Sequence, residues 1–334
     1  MRVITHLLQI SSADPTPESV PIPLNPADTS STQAVAPAPE NILDTLQAEL
    51  IVALVGVIVA GLLVMWWQLR KNDFSLQSAP KRPHDFGLID FLAVFFLYFL
   101  GQFIVQQIAI NFIGINQDTQ QFDFASDSQY VRFNLIGQIV TYIPGILYLL
   151  GRCGFLKNGL KQFGFIPRKP LRDIKLGVLG IVISLPLVFG ISAIMVIISH
   201  LLGENVPEIG HVLLQKLADS TTFEIPLLLG IGAILLAPVF EEIFFRGVVQ
   251  TALLNMLGKQ QRWLVIFLAA TGFALIHLSA LPSWQPLPSL FLLGLIMGYV
   301  YEKTGSLLPP ILIHMGFNAF NFSMVLLSAT AKGA

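Results

Sequence analysis

The sequence predicts an all-α protein, a polytopic bundle of about eight membrane-spanning helices, on the strength of three observations. Apolar residues make up 54% of the 334 residues and charged ones only 12%, about half the charge content of a soluble globular chain. Windows of about 20 mostly apolar residues recur along the chain with short polar breaks between them. Basic residues gather in alternate breaks, the asymmetry expected of loops sorted across a bilayer.

In chain order, residues 1–45 come first. Between Ser11 and Asn41 they are rich in Pro, Ser, Thr and Ala and carry neither helical nor alternating apolar spacing, so they read as a disordered tail. The apolar stretch Val3 to Ile10 is too short, and too weakly charged at its front, for a signal peptide. Residues 46–329 read as one membrane domain. Its spans are expected at roughly 50–69, 88–113, 133–151, 176–202, 225–256, 263–281, 287–301 and 307–327, with ends defined to about two to four residues. The seventh is short because it starts behind Pro286 and Pro288. The fifth is overlong: about 31 residues make about 46 Å of helix against a hydrocarbon core of about 30 Å, so it must tilt, kink at Pro238 or run out along the interface.

The basic residues set the orientation. Arg70, Lys71, Lys81 and Arg82 follow the first span, and Arg152, Lys157, Lys161, Arg168, Lys169, Arg172 and Lys175 lie between the third and fourth. Lys259 and Arg262 follow the fifth, and Lys303 follows the seventh. These connections belong on the cytoplasmic side, with both termini outside. Trp66, Trp67 and Trp263 fall at cytoplasmic span ends, where an indole prefers to sit. A net charge of -1 gives no basic footprint for nucleic acid. A lone cysteine, Cys153, excludes a disulfide framework and a cysteine metal site.

Ionisable side chains in hydrocarbon are costly and are functional suspects by default. Here they cluster in the C-terminal half: Glu241, Glu242 and Arg246 in the fifth span, His277 in the sixth, and His314 with Asn318 in the eighth. Neighbouring helical residues point about 100° apart, so Glu241 and Glu242 cannot both face one point. Glu242 and Arg246 are four apart with the acid first, the favoured order for an ion pair. That leaves Glu241 to face a cavity. His314 and Asn318 share a face, and the depths of the three helices' polar residues allow them to meet between midplane and cytoplasm. His6, His84, His200 and His211 are assigned no chemistry, and Asn321 reads as interhelical glue.

At these residues the sequence resembles the CPBP family of intramembrane proteases, which includes the CAAX prenyl endopeptidases of the Rce type and bacterial relatives tied to bacteriocin immunity and processing. Glu241-Glu242-Ile243-Phe244-Phe245-Arg246 matches its EExxxR motif, Phe273 to His277 its FxxxH motif, and His314 to Asn318 its HxxxN motif. The likeness covers roughly residues 225–327. It implies hydrolysis of peptide bonds in membrane-associated or lipidated substrates, with membrane lipid and a peptide or protein substrate as partners. By position Glu241 would activate water with His277 as its partner, while His314 and Asn318 would hold the oxyanion. Glu241, His277 and His314 are also the donor set of a catalytic zinc site. The family is usually called metalloprotease, but HExxH is absent, and the metal-free glutamate route is the expectation, with zinc the alternative. The expected location is the bacterial inner membrane, multi-pass. A non-catalytic membrane immunity or binding protein of the same fold is the competing function. A transporter ranks third, since it would carry ionisable residues in both halves of the chain.

Overall fold

The computed structural model describes residues 86–114, 124–156, 159–204, 222–279 and 283–333, with isolated positions between 59 and 80 and at 217 and 281. Residues 1–45 and most of the expected first span lie outside the described residues, as do His6, His84, His211 and the side chain of His200. Among the described residues the structure is helical with no strand. The helices are α1 (Leu88–Phe112), α2 (Asp127–Gly154), the short α3 (Gly159–Phe163), α4 (Pro170–Leu201), α5 (Glu224–Leu257), α6 (Arg262–Ile276), α7 (Leu287–Thr304) and α8 (Leu308–Gly333).

Their surfaces are inverted relative to a water-soluble protein. Ile89, Phe96, Phe103 and Leu147 point outward, while Glu242, Arg246, Gln250, Glu302 and His314 are buried. That distribution suits a solvent of lipid tails, in which apolar side chains cost nothing to expose and polar groups must find partners inside. Five helices, α1, α2, α4, α5 and α8, are long and apolar enough to cross a membrane. The sixth and seventh expected spans come out shorter or less apolar. α6 is 15 residues, about 22 Å, and continues as a 3₁₀ turn over His277–Ser279. α7 is 18 residues, about 27 Å, and its last turn carries Glu302 and Lys303.

Two of the tightest pairs, α1 with α2 and α6 with α7, are antiparallel chain neighbours, whereas α4 and α8 run parallel, with Gly177 against Leu312 and Phe189 against Phe320. α5 threads the centre and touches most of the others. Of the first expected span, Gly61 is described and lies so close to Pro186 of α4 that an added Cβ would collide with the ring at 2.4 Å. Two glycines let α7 press against its neighbours: a Cβ on Gly294 would meet the Cα of Ala270 at 3.1 Å, and one on Gly298 would meet Gln250 Oε1 at 3.2 Å. The helix ends at Gly258 and Gly305 adopt positive φ, which stops α5 and α7 cleanly.

The overlong α5 neither breaks at Pro238 nor stays regular. Two stretches, Ile231–Leu236 and Ile243–Gln250, are wound as π-helix around the short α-helical segment Ala237–Glu242. In the first, Ala237 N–H donates to the Gly232 carbonyl, five residues back. The next bond in that register would run from residue 238 to Ala233, and proline has no N–H to give. Pro238 therefore leaves the Ala233 carbonyl for a side chain to satisfy. π-wound turns of this kind concentrate at functional sites.

Candidate active site

Glu241, His277, His314 and Asn318 all line one cavity of about 550 Å³. α5 supplies the carboxylate, the end of α6 one imidazole, and α8 the other imidazole and the amide. Glu241 Oε2 lies 3.6 Å from His277 Nε2 and 3.9 Å from His314 Nε2. It is shielded from solvent and has no hydrogen-bond partner. A buried carboxylate oxygen left unpaired costs free energy, and such a cost singles it out as a functional candidate.

Both rings are fixed from behind. His277 Nδ1–H donates to its own helix at the Phe273 carbonyl, 2.7 Å away. His314 Nδ1–H donates to Glu242 Oε1 at 2.9 Å. Each ring thereby turns its Nε2 toward Glu241. Phe273, fully buried, packs against both: its ring centroid is 4.8 Å from that of His277 and 5.5 Å from that of His314, nearly edge-on to the latter. The guanidinium carbon of Arg246 sits 4.7 Å from the same ring's centroid, a cation–π contact that helps offset the burial of its charge.

Glu242 does more than the ion pair with Arg246 that the four-residue spacing suggests. Its Oε2 lies 3.0 Å from Arg246 Nε, and its Oε1 accepts from His314. Glu242 thus holds one nitrogen of the His314 ring, while the other faces Glu241 at 3.9 Å without a hydrogen bond. Arg246 adds a bond from Nη2 to the Gly294 carbonyl at 3.3 Å. One turn on, Gln250 Nε2 donates to the Gly298 carbonyl and to Glu302 Oε2, each at 3.0 Å, and Arg262 pairs with Glu302. The chain of residues Glu242, Arg246 and Gln250 on α5 faces Gly294, Gly298 and Glu302 on α7, both at four-residue spacing. The four-residue spacing is visible in the sequence, but which helix faces which is not, so Gln250 and Glu302 emerge only from the packing of α5 on α7.

Asn318 takes up the carbonyl that Pro238 frees. Its Nδ2 donates to the Ala233 carbonyl at 2.7 Å, leaving a second Nδ2 proton for the cavity. Asn321, read from sequence as the interhelical bond, instead donates to Phe317 within its own helix. The register of the π-wound stretch decides this, since it puts the free carbonyl opposite residue 318. Across the cavity, Tyr142 stacks on Phe240 at 4.0 Å and 5°, and Ser192 and Ser289 share a 2.7 Å hydrogen bond between α4 and α7. Gln138 and Asn321 add two amides, and the remaining walls are mostly aromatic and aliphatic.

Two imidazoles and a carboxylate are zinc donors, and imidazoles anchored through Nδ1 are typical of zinc sites. Among the described residues, however, no group of three His, Cys, Asp or Glu side chains is placed to hold a metal ion. The residues as arranged do not fit a resident metal, and no step below passes through one.

A helical membrane protein whose buried carboxylate meets two anchored imidazoles in an apolar cavity defines a narrow class, and comparison with known proteins agrees with it. Residues 223–320 match the family model of type II CAAX prenyl endopeptidase, Rce1-like, proteins. The likeness of these residues supports a CPBP, Rce1-type assignment. An uncharacterized 24.3 kDa protein of Escherichia coli is 31% identical over 137 residues, which make up 40% of this chain and 60% of that relative. The chain thus spans about three-fifths of the length of this curated relative. No solved structure matches.

Proposed function

We propose that this chain is an intramembrane endopeptidase that hydrolyses a peptide bond of a membrane-associated or lipidated substrate by a glutamate-activated water. The observation that carries the reading is the unpaired, shielded Oε2 of Glu241 held between two imidazole Nε2 atoms at 3.6 and 3.9 Å. Those separations exceed a direct hydrogen bond, and a water bonded to Glu241 is in reach of either ring.

Glu241 takes a proton from that water as its oxygen forms a bond to the scissile carbonyl carbon. The carbonyl's electron pair moves onto its oxygen. Asn318 donates to that oxygen through its second Nδ2 proton, and His314, its ring fixed through Nδ1 by Glu242, turns Nε2 toward the same oxygen. When the intermediate collapses, the C–N bond breaks and the leaving nitrogen takes the proton back from Glu241. His277, locked by the Phe273 carbonyl, orients Glu241 and the water. Donors prearranged for the developing charge supply the largest single contribution in such sites. The aromatic walls favour a lipid-bearing or strongly apolar segment beside the scissile bond.

The test compares peptides and membrane proteins accumulating in cells that carry wild-type protein and Glu241→Ala at matched expression. Loss of cleavage supports the enzyme; an unchanged phenotype would favour a non-catalytic binding protein. Chelation of the purified wild type should leave cleavage intact. One tightly bound zinc per chain, lost together with activity, would replace the glutamate mechanism.

A further inference from the structure

A second pocket of about 280 Å³, sharing no lining residue with the active-site cavity, lies where α4 begins and α7 ends. Arg168, Lys169, Arg172 and Lys303 line it, with Asp173 and Thr304. Arg168, Lys169 and Arg172 are exposed, and the first turn of the 32-residue α4 adds its partial positive charge. Asp173 is buried to 3% exposure, and its Oδ2 has no hydrogen-bond partner. A positively charged pocket with a buried acceptor inside it matches a ligand that carries both a phosphate and a hydrogen-bond donor beyond it. Next along the helix, Leu171 is 77% and Ile174 43% exposed, so apolar surface adjoins the charged rim. Two helix ends at one level, with cations and exposed aliphatic side chains together, describe a membrane interface.

We propose that this pocket seats the headgroup of a phospholipid from the leaflet on the side the basic loops mark as cytoplasmic. The phosphate is held by the arginines and lysines. A headgroup hydroxyl donates to Asp173 Oδ2, which favours phosphatidylglycerol over an equally charged lipid without a hydroxyl. The acyl chains run along Leu171 and Ile174. The proposal does not depend on proteolysis.

The test is retention of lipid by the purified full-length protein, measured by native mass spectrometry after equilibration with phosphatidylglycerol or phosphatidylmethanol in a phosphatidylcholine background. The wild type should retain phosphatidylglycerol in preference to phosphatidylmethanol. Replacing Arg168 and Arg172 together by Gln should lower that retention about 25-fold, taking roughly fivefold for each cation near the bilayer surface. Both positions are exposed, so the variant should keep its size-exclusion profile, and Arg168→Lys with Arg172→Lys should restore retention. Inorganic phosphate in large excess should leave the lipid in place. Equal retention by the Gln variant, equal retention of the two lipids, or displacement by phosphate would each overturn the proposal.

Discussion

Glu241 and Glu242 are neighbours on α5 and live in opposite circumstances. Glu242 is completely buried, paired with Arg246 and bonded to His314. Glu241 is partly open to the cavity, and its inner oxygen faces two imidazole nitrogens at 3.6 and 3.9 Å without a hydrogen bond. The half of the site built on Glu242 is a closed scaffold in which opposite charges meet. The half built on Glu241 holds a carboxylate at a distance from two imidazoles and leaves room between them. The difference teaches how a membrane helix separates stability from chemistry within a single peptide step: position 242 fixes the ring whose far side position 241 addresses.

The comparison is broken most severely at Glu241. Replacement by Gln keeps the shape and removes the proposed base, so the rate of cleavage should fall about 10²- to 10⁴-fold, the usual contribution of a general base. Thermal stability should hold or rise, because an unpaired buried charge is exchanged for a neutral amide. A variant that lost stability instead would place Glu241 in the scaffold with its neighbour.

Glu242→Gln should do the reverse. It strands a buried arginine, and breaking one partner of such a pair costs about 3–5 kcal/mol. The melting temperature should drop sharply. The remaining activity per folded molecule should also fall, since the Nδ1–H of His314 loses its charged acceptor. If Glu242→Gln melts like the wild type, the ion pair with Arg246 does not hold the helices together.

Much of this division was legible in the sequence. Apolar windows gave α1, α2, α4, α5 and α8, and four-residue spacing put Glu242 beside Arg246 and His314 beside Asn318. What spacing alone could not give was contact across helices. A helical wheel sorts residues onto faces of one helix, but the ring of His314 arrives from α8 and straddles two faces of α5. The buried Asp90, which accepts from Tyr148 and Arg152 and ties α1 to α2, was equally silent: an acid near a span end looks like an interfacial residue until its partners are in view. The π-wound stretches were hidden for another reason. Pro238 announces a missing donor, yet only the actual register tells which carbonyl is left free.

Asn318 tests whether the amide belongs to the chemistry as well as to the scaffold. Asn318→Ala should lower kcat about 10²-fold, at the lower edge of what loss of one oxyanion donor costs. It should also destabilise the fold by about 1–3 kcal/mol by leaving the Ala233 carbonyl buried and unsatisfied. Those two losses have different origins, and Pro238 separates them.

Pro238→Ala is the mildest change and the most discriminating. Alanine restores an N–H at the position whose π-register partner is the Ala233 carbonyl. A carbonyl oxygen has two lone pairs, so the new N–H and Asn318 Nδ2 can share it, and the single substitution should cost less than about tenfold in activity, the equivalent of one ordinary hydrogen bond. In the Asn318→Ala background the same alanine becomes the only donor to that carbonyl. It should recover most of the stability lost on removing Asn318 and none of the rate, because the backbone N–H points along the helix and not into the cavity. Paired measurements of melting and turnover across the four proteins of this cycle report the coupling directly. Recovery of rate along with stability would mean that Asn318 serves only to hold α5 against α8, and the oxyanion would then rest on His314 alone.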